Sequence, residues 1–321
     1  FRGLNQRVSL SGLVGSGVIM SDTTVKNHMN FQAELSFFQP YFLNADTSLM
    51  SKVFFRDFGS YNVPLAVEDR IGFETTISHQ MKTNPQLVST LSLGVENIHL
   101  KEGDRERIVS MFRGKHVNIS ERAKQLEGGL FLNISPGLRF DSRDSSLNPR
   151  NGVLATVRLD QAFCLDEFKK TNAKLTGMIK RFFPVASKSS LSLTAKAGGK
   201  LYGDNMPEVM AYRLGGPYTV RGYKINGVGT GDAFAMGSIE LATPVLFLDR
   251  LKVNFFQNLR LTFFVDAGKV FHGYMSDYIY DRPMEAITAG VGLKLYIPGV
   301  GPLSVDYGIP LTRSGAYGSK H

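Results

Sequence analysis

Apolar and polar residues alternate with a period of two along almost the whole chain. The alternation is clean in Phe31–Phe37 (FQAELSF) and only partial in Val8–Leu13. Because successive side chains of a β-strand point to opposite faces, this pattern predicts strands with one apolar face, about 13 in all. Many of them approach the length of about ten residues with which a tilted strand crosses a bilayer. The predicted strands are Val8–Leu13, Phe31–Phe37, Leu49–Arg56, Ile71–Thr75, Leu87–Glu96, Leu130–Phe140, Val153–Leu159, Ala173–Lys180, Leu191–Lys196, Ala235–Ala242, Leu261–Asp266, Ile287–Tyr296 and Leu303–Ile309.

The segments between the predicted strands alternate between short and long. The short ones are rich in proline or asparagine, and TPVLFLDRLKVNFFQN is a long exception among them. The short connections are QPYFLNADTS, HQMKTNPQ, DSRDSSLNPRNG, FPVASKSS and IPGVGP, and the long ones are Asp57–Glu68, His99–Glu127, Leu201–Asp232 and Lys269–Glu285. Short turns at one end and long loops at the other are typical of an outer-membrane β-barrel. A soluble two-layer sandwich has the same alternation but does not usually sort its loops in this way.

The composition of the chain narrows the possible classes of protein and kinds of site. The chain has 321 residues, which fits one large all-β domain or two ordinary ones, and its net charge is +9. The basic residues are spread through strands and loops, so we interpret them as solvated and expect no nucleic-acid partner. A single cysteine, Cys164, excludes an internal disulfide and a cysteine-based metal site. The chain contains no run of 18 apolar residues, so we expect no transmembrane helix. This result does not exclude a membrane barrel, whose strands are shorter and alternate. The chain has no tryptophan, so an interfacial girdle would use tyrosine and phenylalanine.

One long connection carries an unusual combination of residues. The stretch RLGGPYTVRGYKINGVGTGDAF, from Arg213 to Phe234, surrounds Arg221 with glycines that permit tight backbone conformations. We predict a loop without regular structure of its own, which is rare unless the loop is functional. It is either a flexible surface loop or a loop folded back into the barrel. In the second case Arg221 needs carboxylate partners, and Glu240 and Asp266 lie on the matching faces of the next two strands.

These residues resemble a known family. LGGPYTVRGY is similar to the VRGF/Y loop motif of the BamA-type superfamily of outer-membrane protein assembly and translocation barrels, which has mitochondrial sorting-and-assembly and chloroplast import-channel relatives. Other blocks also resemble strands and turns of that family in the expected order. They are FQAELSFFQPYF, LRFDSRDSSLNPRNG, GDAFAMGSIELATPV, LRLTFFVDAGKVF and GVGLKLYIPGVGPLSVDYGIPL.

The resemblance implies an all-β fold, a sixteen-stranded transmembrane antiparallel β-barrel with the VRGF/Y loop inside its lumen. It implies that Arg221 contacts Glu240 and Asp266 and that clients insert through a seam between the first and last strands. The motif residues are Val220, Arg221, Gly222 and Tyr223, and the loop glycines are Gly215, Gly216, Gly227 and Gly229. The implied partners are unfolded outer-membrane protein clients, membrane lipids and accessory assembly subunits. The implied location is the outer membrane, with a bacterial membrane favoured over a mitochondrial or chloroplast one.

The sequence also departs from the family. The first alternating segment resembles the third strand of the family, and TRSGAYGSKH resembles the loop before the last strand. We therefore expect residues 1–321 to be a C-terminal transmembrane β-barrel domain that lacks the first two strands, the last strand and the N-terminal periplasmic repeats. The alternatives to an insertase are a two-partner-secretion-type translocation pore and a passive outer-membrane channel.

No catalytic or metal site is predicted. The six histidines form no metal-ligand spacing, and no serine lies in a GxSxG motif. GVGTGD and GLVGSG do not open helices after buried strands, so we reject phosphate binding. We expect a protein that is not an enzyme and needs no cofactor.

Overall fold

The computed structural model describes residues 5–20, 25–63, 66–101, 125–186, 188–245, 259–274, 277, 282–297 and 301–312. Three segments discussed above lie wholly or largely outside these residues. They are the middle of the connection His99–Glu127, most of TPVLFLDRLKVNFFQN, and the terminal TRSGAYGSKH. Within the described residues, no helix is both long and apolar enough to span a membrane.

The described residues form fourteen β-strands. The strands are β1 (Arg7–Met20), β2 (Val25–Gln39), β3 (Thr47–Gly59), β4 (Val67–Met81), β5 (Asn84–Lys101), β6 (Gly129–Asp141), β7 (Gly152–Cys164), β8 (Asn172–Ala186), β9 (Ser189–Tyr202), β10 (Tyr212–Leu214), β11 (Gly229–Pro244), β12 (Leu259–Gly273), β13 (Glu285–Ile297) and β14 (Gly301–Pro310). The all-β prediction is therefore confirmed.

The strands follow one another in the sheet in chain order, except that β10 pairs only with β11, so that β9 is followed by β11. Each of the thirteen other strands contains one of the predicted segments. The strands are longer than predicted, because backbone pairing continues beyond the residues with a clean alternation. The predicted connection FPVASKSS, for example, is mostly strand, since β8 extends to Ala186 and β9 begins at Ser189.

The glycine-rich connection between β9 and β11 is not devoid of structure, so this prediction was wrong. It contains a 3₁₀ turn at Glu208–Met210 and the short strand β10. β10 pairs antiparallel with the first residues of β11, and Leu214 lies opposite Gly229. The sequence did not predict β10, because a strand of three residues is too short to show a period of two.

The chain divides into two compact units. The first comprises Phe1–Arg139, Arg158–Leu175 and Lys200–Ala211, and the second comprises Phe140–Val157, Thr176–Gly199 and Tyr212–His321. In the first unit β1 to β5 pair antiparallel in sequence, and the pairing of β4 with β5 changes register between Gln80 and Met81. In the second unit β11 pairs with β9 and β12, and β12, β13 and β14 follow in order.

The two faces of the second unit differ as the alternation predicts. On β12, Thr262, Phe264 and Asp266 are buried, whereas the intervening Phe263 and Val265 are 45% and 46% exposed. A sheet with large apolar side chains on its open face needs an apolar environment for that face.

An apolar cluster connects the glycine-rich loop to the buried face of the second unit. Three loop or β10 residues and four strand residues contribute to it. The cluster consists of Leu214, Val220, Val228, Phe234, Met236, Val270 and Ala286, with Tyr212, Tyr223 and Met284 packed against it. The motif residue Val220 is completely buried there. Burial of this apolar surface holds the loop against the strands beside Arg221.

Candidate functional site: the buried arginine cluster

The Arg221 side chain lies between β11 and β12, where it is 9% exposed. Its Nε donates to Oδ2 of Asp266 at 2.8 Å and its Nη2 donates to Oδ1 at 2.9 Å, so that the guanidinium binds this carboxylate with two parallel hydrogen bonds. Its Nη1 donates to Oε2 of Glu240 at 2.6 Å. The structure thus brings together the arginine and both carboxylates that the sequence singled out. A planar guanidinium can engage two carboxylates in this way, whereas the ammonium group of lysine cannot.

The backbone of the loop joins the same interaction. The amide N–H of Arg221 donates to Oδ2 of Asp266 at 3.1 Å. The Ser238 hydroxyl donates to Oδ1 of Asp266 at 2.6 Å, and Nη2 of Arg221 lies 3.3 Å from the same hydroxyl oxygen. Asp266 is fully buried, and these donors satisfy its oxygens. The carboxylate therefore fixes both the side chain and the main chain of the loop at one residue.

Three further side chains complete the cluster, and the sequence analysis missed them. Lys294 on β13 donates to Oε1 of Glu240, and Oδ1 of Asp306 on β14 lies 3.8 Å from Nη1 of Arg221. The Phe264 ring lies against the guanidinium, with its centroid 3.5 Å from Cζ. A guanidinium over a ring face gains a cation–π interaction, about 2 kcal/mol or more when desolvated. We refer to Arg221, Ser238, Glu240, Phe264, Asp266, Lys294 and Asp306 as the arginine cluster.

Sequence signals for the missed residues were present but ambiguous. Phe264 lies on the same face of β12 as Asp266, and Lys294 lies on the matching face of the neighbouring strand β13. Lys294 is paired in register with Arg260, and Asp306 with Gly292. Any buried-face polar residue of β13 or β14 was a candidate, and only the register of the sheet selects these two.

Gly222 lets the loop touch the backbone of β14. Its φ is +89°, in the left-handed region that favours glycine, and a Cβ there would lie 2.7 Å from the carbonyl oxygen of Gly308. A Cβ on Gly308 would in turn lie 2.8 Å from the Gly222 nitrogen. The two glycines therefore allow a direct contact between loop and strand backbones directly after Arg221.

The remaining motif residues have different environments. The Tyr223 hydroxyl lies 3.2 Å from Oγ1 of Thr312, just beyond β14. Gly215 and Gly216 have φ values of +110° and +103°, whereas Gly227 and Gly229 do not have positive φ. A Cβ on Gly229 would meet the Met284 sulfur at 2.8 Å, so this glycine provides space rather than an unusual backbone angle.

A second buried polar group fixes the end of the loop. The Asp277 carboxylate accepts hydrogen bonds from the backbone N–H of Thr230 at 2.8 Å and from Nη1 of Arg282 at 3.1 Å. The Thr230 hydroxyl interacts with the Asn226 side chain at 2.8–3.0 Å and accepts a hydrogen bond from Arg282 at 2.8 Å. Burial raises the pKa of the Asp277 carboxyl above its ordinary value, although the charge of Arg282 opposes this effect.

The cluster has the chemistry of a structural clamp. Its charged groups bind one another, and the Asp266 carboxylate that accepts from the Ser238 hydroxyl is also held by the side chain and the amide N–H of Arg221. In the described part of the chain, no three His, Cys, Asp or Glu side chains are grouped as a metal site would require. The arrangement can hold a loop in one position and release it when the ion pairs break.

Comparison with known proteins gives consistent results. A family model described as the Omp85 superfamily domain matches residues 1–320. The chain is 29% identical over 217 residues to the sorting and assembly machinery component 50 homolog of Mus musculus, covering 60% of this chain and 44% of that protein. It is 28% identical over 204 residues to homolog A of Xenopus laevis, covering 56% and 41%. The chain thus spans less than half the length of these curated relatives.

Solved structures agree on the fold. BamA from Haemophilus ducreyi, in a crystal structure lacking POTRA domains 1–3, has a TM-score of 0.68 at 16% identity and covers 96% of this chain and 67% of that one. CdiB from Escherichia coli has a TM-score of 0.63 at 16% identity, covering 97% and 54%. Together with the family model, which matches nearly every residue, these findings show that the chain belongs to the Omp85 superfamily and has its fold, a transmembrane antiparallel β-barrel of the outer membrane.

Proposed function

We propose that this chain is the membrane barrel of a protein that inserts other β-barrel proteins into the outer membrane. The clients would be unfolded outer-membrane proteins, and their strands would enter the bilayer at a lateral seam between the first and last strands of the complete barrel. Accessory assembly subunits and membrane lipids would be its other partners. No bond is made or broken in this activity, so we propose that the protein is not an enzyme.

The observation that supports this proposal most directly is the arginine cluster. The loop between β9 and β11 is held by side chains of β11, β12 and β14, because Arg221 binds Glu240 and Asp266 and lies 3.8 Å from Asp306. A buried ion pair costs desolvation energy, and replacing it by apolar packing is often neutral or stabilising. Retaining the charges therefore suggests a requirement for one defined loop position, which a passive channel would not need.

The proposal can be tested by reconstitution. The full-length protein is placed in lipid vesicles, an unfolded outer-membrane barrel protein is added, and its insertion is followed by heat-resistant gel mobility and protease protection. We expect insertion to be faster than in empty vesicles. Arg221→Ala should slow it, whereas Lys269→Ala, which removes a lysine from a largely exposed ion pair with Glu285, should not.

The same assay separates the alternatives. Passage of the added protein to the other side of the membrane without insertion would identify a secretion transporter. An insertion rate equal to that in empty vesicles, together with an open conductance in planar bilayers, would refute the proposal in favour of a passive channel.

A further inference from the structure

The beginning of the glycine-rich connection, residues 203–211, is held by a separate set of contacts. We call these residues the leading segment. Its 3₁₀ turn presents three consecutive backbone carbonyl groups to polar side chains of the first unit. Asn62 Nδ2 donates to the carbonyl of Glu208 at 2.7 Å, Arg70 Nη2 to that of Val209 at 3.1 Å, and Lys174 Nζ to that of Met210 at 2.7 Å.

These donors match the electrostatics of the turn. The last carbonyl groups of a helical turn carry partial negative charge. The Glu208 carbonyl also accepts a hydrogen bond from the backbone N–H of Ala211 at 3.0 Å. Arg70 on β4 and Lys174 on β8 bring positive charges to the carbonyl groups of the turn, and hydrogen bonds from charged donors are about twice as strong as neutral ones. We refer to Asn62, Arg70 and Lys174 as the carbonyl anchor.

Arg70 is itself oriented by neighbouring side chains. Its Nε donates to Glu68, and its Nη1 lies 3.6 Å from Oε2 of Glu96. Glu96 also accepts a hydrogen bond from Asn133 at 2.9 Å. These contacts leave Nη2 directed at the Val209 carbonyl. A pre-oriented guanidinium loses less conformational entropy when it binds the turn than a free side chain would.

Packing supports the same arrangement. Met206 is completely buried and Val209 is 6% exposed, so the leading segment contributes apolar surface as well as carbonyl groups. Gly203 has φ +114°, and a Cβ there would lie 2.6 Å from the Cβ of Asn172 and 2.7 Å from the carbonyl oxygen of Thr171. The segment therefore lies directly against the connection between β7 and β8 from its first residue.

We propose that the carbonyl anchor is a second positioning site for the loop, and that it acts independently of the arginine cluster. The two sites share no residue, and all contacts of the anchor lie within the first unit while those of the cluster lie within the second. Loss of one site leaves the other part of the loop in place, so complete release of the loop requires both to open. This inference concerns the position of the loop and does not depend on the insertion activity.

Accessibility of single cysteines tests the proposal. In the full chain with Cys164→Ser, Val209→Cys reports on the leading segment and Val220→Cys on the motif, since both valines are buried. Maleimide labelling rates are measured in vesicles. We expect Lys174→Ala to raise the labelling rate at position 209 about tenfold or more, the effect of losing a hydrogen bond to a charged group, and to leave position 220 within about twofold. Arg221→Ala should raise the labelling rate at position 220 and leave that at position 209 within about twofold.

Matched variants distinguish positioning from general stability. Lys174→Arg and Arg70→Lys keep a charged donor and should restore slow labelling at position 209. Lys52→Ala removes a basic side chain of β3 that pairs with Glu74 at 3.0 Å and should leave both reporters unchanged. Asn62→Ala is a milder truncation of the anchor for use if Lys174→Ala does not fold, as judged by heat-modifiable gel mobility. The proposal is wrong if anchor variants accelerate labelling equally at both positions, or not at all at position 209.

Discussion

Both the positive charge and the planar, forked shape of the Arg221 guanidinium contribute to its contacts. It makes two parallel hydrogen bonds to Asp266, one to Glu240, and a close contact with the Phe264 ring. All of these groups are largely withdrawn from solvent. Removing one partner from such a site leaves the others as uncompensated buried charges, a larger effect than that of breaking an exposed pair.

Arg221→Ala should therefore destabilise the loop by about 3–5 kcal/mol while most of the barrel still forms. Arg221→Lys should recover only part of this, because an ammonium group cannot form the forked contact with both carboxylates. The measurement is a double-mutant cycle with Asp266→Asn, read from denaturant unfolding of the folded barrel. Lys269→Ala serves as the control, since its exposed pair contributes about 0–1 kcal/mol. Strictly additive effects of the two substitutions would show that the pair is not coupled.

The strand is the scale at which the two faces separate. Along β11, Ile239 is 53% exposed while Ser238 and Glu240 contribute to the arginine cluster. In register on β9, Leu193 lies beside Ile239, and Thr194 lies beside Ser238. We expect the exposed face of these strands to meet lipid, whereas the face that carries the arginine cluster packs against the loop. A charged side chain introduced on one face should therefore change the stability of the barrel far more than one introduced on the other.

Ile239→Lys should destabilise the barrel by about 2–4 kcal/mol if residue 239 lies at the bilayer midplane, and by less nearer an interface. Thr194→Lys, a substitution on the opposite face one strand away, should cost clearly less because its ammonium group can reach water in the lumen. Urea titration of both variants in lipid vesicles measures the difference. Equal destabilisation would contradict the assignment of the faces.

At the scale of the whole molecule, antiparallel strands in chain order place successive connections on alternate sides of the membrane. From this strand order we expect the connection between β6 and β7, residues 142–151, on the side opposite to the connection that precedes it. It is also internally structured, since Arg143 binds Asp141 with two hydrogen bonds of 2.8 and 2.9 Å. The connections that were predicted to be long alternate in chain order with the short ones, except that the connection between β11 and β12 is long as well.

A protease site inserted between His99 and Glu127 should be cut when protease is added to intact cells or organelles, whereas the same site inserted at Ser146 should be cut only after the membrane is disrupted. The reason is that long loops of such barrels face outward and short turns face the inner compartment. Fragment sizes on immunoblots provide the readout. The reverse pattern would invert the orientation.

The order and approximate position of the thirteen strands of the sheet were accessible from the sequence. Each strand must place apolar residues on the lipid face at every second position. This alternation is visible within short segments such as Phe31–Phe37, so it can be found without knowing the tertiary structure. The glycine-rich motif likewise identified Arg221, and the faces of the next two strands identified Glu240 and Asp266, as candidate site residues. The ends of the strands and the short β10 were not accessible, because backbone pairing there does not depend on side-chain pattern.

Only the tertiary structure decided which atoms meet. Lys294 and Asp306 became part of the arginine cluster through the register of β13 and β14, and a shift of one residue would turn both away from it. The contact between Gly222 and Gly308, and the three carbonyl groups held by Asn62, Arg70 and Lys174, join residues far apart in the chain. The sequence by itself determined where strands form, because alternation is a local property. Register and loop docking set the site, because both depend on pairings between distant segments that no local pattern encodes.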